Sequence, residues 1–177
     1  MRNNYLILVM LLSTLVVLSI VSSLTIPIYT QENMTESQNL NNTFEIGDVI
    51  YDGQGKITGT KVLNADDRKI EHSAISIGKF NGINVTEIET FWAIPVGDNQ
   101  HYGEIQGIIT TNEGGKTASF KGYGMGYLDD SGITKIRGVN FYESSSQELL
   151  FLNNMIGLFE SELDKSGNTH KMVWEWK

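Results

Sequence analysis

The chain contains no cysteine. Disulfides, thiolate metal sites, a cysteine nucleophile and a lipid-modified cysteine anchor are therefore excluded. It has two prolines, Pro27 and Pro95, so strands across its C-terminal three-quarters are free to donate ladder hydrogen bonds. Basic residues are few: 13 Lys and Arg stand against 21 Asp and Glu, and no block of Lys or Arg occurs. A protein that displaces counterions from phosphates needs a positive face, which excludes nucleic acid as a partner. The three histidines, His72, His101 and His170, show no His-x-His or His-x-x-x-His spacing, so no metal is expected. No Gly-x-Ser-x-Gly elbow and no Gly-Lys-Ser/Thr phosphate loop is present, and no cofactor is implied.

One long apolar run exists. Tyr5 to Leu24 carries no charge and is mostly Leu, Val and Ile, preceded by the single charge of Arg2. About 20 such residues suffice to cross a bilayer as a helix. Residues 1–30 therefore read as either a cleaved signal, with Val21 and Ser23 before the cut, or an uncleaved membrane anchor. Both place the remainder outside the cytoplasm, secreted or tethered. Residues 31–43 are rich in Asn, Gln, Glu, Ser and Thr and read as a polar spacer, leaving 44–177 as the folded domain. Asn33, Asn41 and Asn84 begin Asn-x-Ser/Thr sequons, which suit an extracellular protein.

Glycine is what the domain has in abundance. All 18 follow residue 46, about twice the average usage over that stretch. Turn chemistry recurs at Asp52-Gly53-Gln54-Gly55, Asn64-Ala65-Asp66-Asp67, Asn81-Gly82, Gly97-Asp98-Asn99, Asn112 to Gly115, Asp129 to Gly132 and Lys165 to Asn168. Between these lie runs rich in Ile, Val, Thr, Tyr and Phe. In 117–128, Ala118, Phe120, Gly122, Gly124 and Gly126 share one face, and Lys121, Tyr123, Met125 and Tyr127 the other. The expectation is an all-β, antiparallel up-and-down meander of eight to nine strands closed into a small barrel. Gly103, Gly107, Gly122, Gly124 and Gly126 sit inside strands, where they permit sharp coiling or leave room for a ring or ligand. Ser145 to Glu148 has capping-box spacing ahead of Leu149 to Leu152, which predicts a short helical turn acting as a plug or lid, or else a wide loop with buried leucines.

Tyr102 to Gly107, Phe141 to Ser145, Phe151 to Glu160 and the ending Trp174-Glu175-Trp176-Lys177 resemble a set of uncharacterised small exported archaeal proteins. More remotely the layout is similar to the allene oxide cyclase and dirigent class of eight-stranded barrels. That resemblance implies a barrel with an aromatic-lined cavity, and no catalytic motif of that class aligns onto this chain.

The candidate site is built on Tyr102, Glu104 and Gln106, which share one face of a strand. If that face looks inward, a buried carboxylate needs a donor, which Arg137, Tyr123 or Tyr142 would supply. These six residues would then orient a small apolar or aromatic molecule in the barrel. Two alternatives stand beside this. One is a surface interaction module with a filled barrel; the other is a cyclase-like enzyme using Glu104 as acid or base. His72 alternates with Ile70 and Ala74 and so reads as interior, whereas His101 and His170 read as solvated loop residues.

Overall fold

The computed structural model describes residues 45–177, and the signal or anchor and the spacer expected before them lie outside the described residues. Eight strands follow one another: β1 (Ile46–Asn64), β2 (Lys69–Phe80), β3 (Ile83–Pro95), β4 (Gln100–Thr111), β5 (Thr117–Leu128), β6 (Thr134–Glu143), β7 (Ile156–Leu163) and β8 (Asn168–Trp176). Each pairs antiparallel with the next, and β8 returns to β1, so the sheet is a closed barrel. Closure removes every sheet edge, which an unstapled domain would otherwise expose to aggregation. No helix among the described residues is long and apolar enough to cross a membrane.

The turn signals act as read at most hairpins. Asn81 and Gly82 both hold positive φ, +46° and +84°, as a two-residue hairpin requires. Asp129 Oδ1 accepts hydrogen bonds from the backbone N–H of Ser131 and Ile133 and from the Ser131 hydroxyl, closing the β5–β6 turn. Asp164 closes the β7–β8 turn in the same way, accepting from Ser166 and Asn168.

One expected turn is absent. Asp52-Gly53-Gln54-Gly55 lies inside β1, which continues unbroken for 19 residues, with register shifts at Ile57/Gly59 and Val62/Asn64. Its glycines answer to packing: a side chain at Gly53 would collide with the Tyr51 hydroxyl. Two of the expected strands are thus one, and the meander has eight strands.

The helical turn between β6 and β7 is a 3₁₀ helix, Gln147–Asn154. Ser146 occupies its N-cap but makes no side-chain cap bond; its hydroxyl is bonded instead to the Thr117 carbonyl. Leu149 and Leu152 are fully buried, whereas Leu150 and Phe151 are exposed. The segment therefore plugs one barrel end. Its leucines join Tyr51, Phe80, Val85, Ile109, Phe120 and Val173 in the apolar core. Full burial of each leucine contributes roughly 1.5–3 kcal/mol. Strand β1 begins and β8 ends at this plugged end. The β1–β2, β3–β4, β5–β6 and β7–β8 turns ring the opposite end.

Candidate functional site

Parity along β4 decides which side chains the interior receives. Ile109 and Thr111 are buried, so the residues two apart from them, Gly107, Ile105, Gly103 and His101, also look inward. Tyr102, Glu104 and Gln106 occupy the opposite, outer face, contrary to the sequence expectation. The physical reason is the narrowness of the barrel. A Cβ at Gly107 would stand 2.6 Å from the Phe120 ring, so the interior side of β4 has room for glycine there and little else.

The remaining expected residues follow the same geometry. Tyr123 pairs with Glu104 across β4–β5 on the outer face and is exposed. Arg137 is also outside. It lies on β6, two strands from β4 rather than beside it, and its Nε donates to Glu160 Oε2 at 3.0 Å. The Tyr102 hydroxyl stands 3.5 Å from Glu104 Oε1. Of the six, Tyr142 alone points inward. It is buried in the plugged half, edge-on to Phe80 at 5.6 Å and 3.4 Å from Asn140 Nδ2 through its hydroxyl. Burial pushes its pKa up, and the hydroxyl serves as a neutral core group. Outside, Glu104, Gln106 and Tyr123 do share a groove of about 220 Å³ with Trp92 and Lys121.

The interior carboxylates come from β3. Val85, Glu87, Glu89, Phe91 and Ala93 share the inward face, while Thr86, Ile88, Thr90 and Trp92 face out. Across the barrel, β8 sends in Lys171 beside Val173. Lys171 Nζ donates to Glu89 Oε2 at 2.7 Å. It stands equally close, 2.7 Å, to Glu87 Oε2, where the contact is an ion pair without hydrogen-bond alignment. All three residues are almost fully buried: Glu87 is 2% exposed, Lys171 4% and Glu89 6%. The Tyr51 hydroxyl lies beside Glu87, and the ammonium sits 4.9 Å from the centre of the Phe120 ring.

Burial in this setting penalises every charge. For Lys171, desolvation lowers the pKa, but the two carboxylates more than offset it and the ammonium is held charged well above its ordinary range. For Glu87, desolvation raises the pKa, and proximity to Glu89 raises it further, against the opposing pull of Lys171. Tyr51 is raised by burial and then by Glu87, and stays a neutral phenol.

Between this cluster and the ring of four turns the barrel is not filled. A cavity of about 210 Å³ is floored by Glu89 and Lys171 and walled by Phe91, Ile105, Ile136 and Phe159. His72 and His101 line it as well, together with Thr134, Ser161 and Thr169. His72 is interior as expected. Its ring packs on Phe91 at 5.2 Å, and burial lowers its pKa, which favours the neutral imidazole. His101, read as a loop residue, is instead an inward residue of β4. His170 is on the outer face of β8, 2.8 Å from Asp52. Among the described residues no group of three His, Asp or Glu side chains has metal-holding geometry.

No family model matches the chain. No curated protein matches it either. Among solved structures it is similar to a protein with unknown function from Clostridium acetobutylicum ATCC 824, at 13% identity and a TM-score of 0.64, covering 75% of this chain and 98% of that one. It is also similar to a conserved protein of unknown function from Rhodopseudomonas palustris, at 11% identity and a TM-score of 0.59, covering 76% and 97%. Neither comparison reaches the archaeal set or the cyclase and dirigent class that the sequence resembles. At such identities the likeness is one of fold: the chain is an eight-stranded β-barrel shared with bacterial proteins whose function is unknown.

Proposed function

We propose that this domain binds a small, largely apolar or aromatic molecule inside the barrel, between the Lys171–Glu89 floor and the four-turn end. The observation that carries the reading is the unfilled half of an otherwise close-packed barrel: about 210 Å³ walled by apolar side chains, with a few converging polar groups at its base. An apolar-walled concavity with a few converging polar groups has the form of a small-molecule site. An apolar cavity near 150 Å³ holds benzene, while drug-sized ligands occupy about 300 Å³ or more. The fitting ligand is therefore a single ring or a short chain. The polar residues serving it are Glu89, Lys171, His72 and Ser161. Glu104 borders this space, but the parity of β4 puts its side chain on the outer face, so in this reading Glu89 and Lys171 supply the interior carboxylate and cation.

Native mass spectrometry of the protein purified from its own host tests this. A retained non-covalent mass is expected, and it should be lost in Ser161→Leu, which extends an isobutyl group into the cavity. An empty barrel that also takes up no ring compound on titration would overturn the reading.

A second reading has its own observation. The outer groove shared by Trp92, Glu104, Gln106, Lys121 and Tyr123 suits an interaction module acting through its exterior. Lys69 covers Trp92 there at 3.5 Å from the ring centre, which leaves the aromatic face already engaged, and the interior is preferred for that reason. Export is part of the proposal too, resting on the uncharged Tyr5–Leu24 run. The N-terminal mass of the host protein and its recovery in membrane or medium test it. An intact chain in the cytosol would contradict it.

A further inference from the structure

The floor of the cavity has a charge balance that constrains what sits on it. Lys171 is the only Lys or Arg among the described residues lining the space, and its ammonium is already committed. Two carboxylates flank it at 2.7 Å, Glu89 from the cavity side and Glu87 from behind. One ammonium against two carboxyl groups leaves no surplus positive charge for an incoming anion, whichever proton state Glu87 holds. Of the other polar liners, Thr134, Ser161 and Thr169 are uncharged, burial favours neutral His72, Glu104 adds a carboxylate at the border, and His101, six residues along β4 from the Glu89 partner Gly107, stands at the four-turn end away from the floor. Glu89, by contrast, has its second oxygen and remaining lone pairs available, because Lys171 Nζ occupies only Oε2.

We propose that the occupant is a ring-bearing or short-chain molecule whose polar end donates hydrogen bonds, an amine or an alcohol, received by the Glu89 carboxylate, and that carboxylates of the same shape are rejected. This rests on the cavity reading above. An amine brings its own positive charge to a floor whose single ammonium is already committed, and an alcohol brings a donor without a charge. A carboxylate would be desolvated against Glu89 with no free cation opposite, and such unpaired burial is the common way a site excludes the wrong ligand.

Benzylamine, benzyl alcohol, benzoate and toluene share one ring and separate the effects. Titrated at pH 7 against the wild-type protein, benzylamine and benzyl alcohol are expected to bind, with benzoate weaker than benzylamine by tenfold or more. Toluene reports the apolar cavity alone. In Glu89→Gln the amine-to-benzoate ratio should fall by about tenfold while toluene binding persists. Benzoate binding as tightly as benzylamine to the wild type, or an unchanged ratio in the variant, would overturn the proposal and leave the cavity reading standing. Failure of all four, toluene included, would overturn both. The wild-type order is sufficient by itself should Glu89→Gln not fold.

Discussion

Lys171 of β8 and Glu89 of β3 meet across the barrel interior with Nζ and Oε2 2.7 Å apart, although neither strand neighbours the other in the sheet. The contact divides the interior. On one side lie the aromatic core and the 3₁₀ plug; on the other lies the cavity. Its members are buried ionisable groups, so their value to stability depends on remaining together.

Removing the cation alone should be severe. Lys171→Met leaves Glu87 and Glu89 facing each other without a counter-charge, and breaking a buried pair in this way costs about 3–5 kcal/mol. Urea denaturation should show the loss as a fall in midpoint. A variant that replaces all three with apolar residues of similar volume should recover much of it, since a complete ionic cluster is often matched by hydrophobic packing.

Glu87 carries a pH signature. Its pKa is raised, mainly by burial, so between the ordinary and the raised value the folded protein holds more proton there than the unfolded chain does. Stability from this group is complete below the ordinary Glu value near 4.5 and declines as pH rises through the raised folded value. Glu87→Gln removes that slope. The stability of the variant relative to wild type should therefore increase as pH is taken from 4.5 towards 8, followed by urea melts at fixed ionic strength. A difference independent of pH, or one of opposite sign, would contradict the assignment.

The two classes of interior glycine should separate under the same substitution. At Gly53 a methyl would strike the Tyr51 hydroxyl, whose ring is locked in the core, so Gly53→Ala should destabilise by about 1–3 kcal/mol. At Gly126 the nearest atoms, Ile136 Cγ1 and Thr134 Cγ2, would stand 3.5 Å from a Cβ, which is ordinary contact at the cavity wall. Gly126→Ala should leave thermal stability unchanged or slightly raised, while toluene affinity falls because the space has narrowed. Paired melts and titrations check both.

The plug should be a matter of stability and not of binding. Leu149 and Leu152 are fully buried at the far end from the cavity, and neither lines it. Leu152→Ala should cost about 2–5 kcal/mol. The surviving folded fraction should bind ring compounds with unchanged affinity, as read by titration well below its melting temperature.

The barrel was legible from the sequence because turn residues and period-2 alternation both repeat along it, and hairpins such as Asn81-Gly82 admit little else. Alternation alone, however, divides a strand into two faces without saying which is inside. On β4 the choice fell on Tyr102, Glu104 and Gln106, whose chemistry looks like a site, when the glycines of the other face were the better guide. In a barrel this narrow, Gly103 and Gly107 mark the interior because a larger residue there meets the Trp92 carbonyl or the Phe120 ring. The ionic cluster was missed although β3 carries its signal. Val85, Phe91 and Ala93 belong to an inward face, and the same parity takes Glu87 and Glu89 with them. What no spacing shows is that Lys171, 82 residues further on, arrives opposite, because that depends on closure of β8 onto β1.

The most direct test is to map a bound ring compound on the isotope-labelled domain by amide chemical-shift perturbation. With benzylamine, the account predicts shifts that saturate together at Ile105, Gly124, Gly126, Phe159 and Lys171, around the inside of the barrel. Shifts confined to Trp92, Gln106, Lys121 and Tyr123 on the outer wall, or none at saturating ligand, would contradict it.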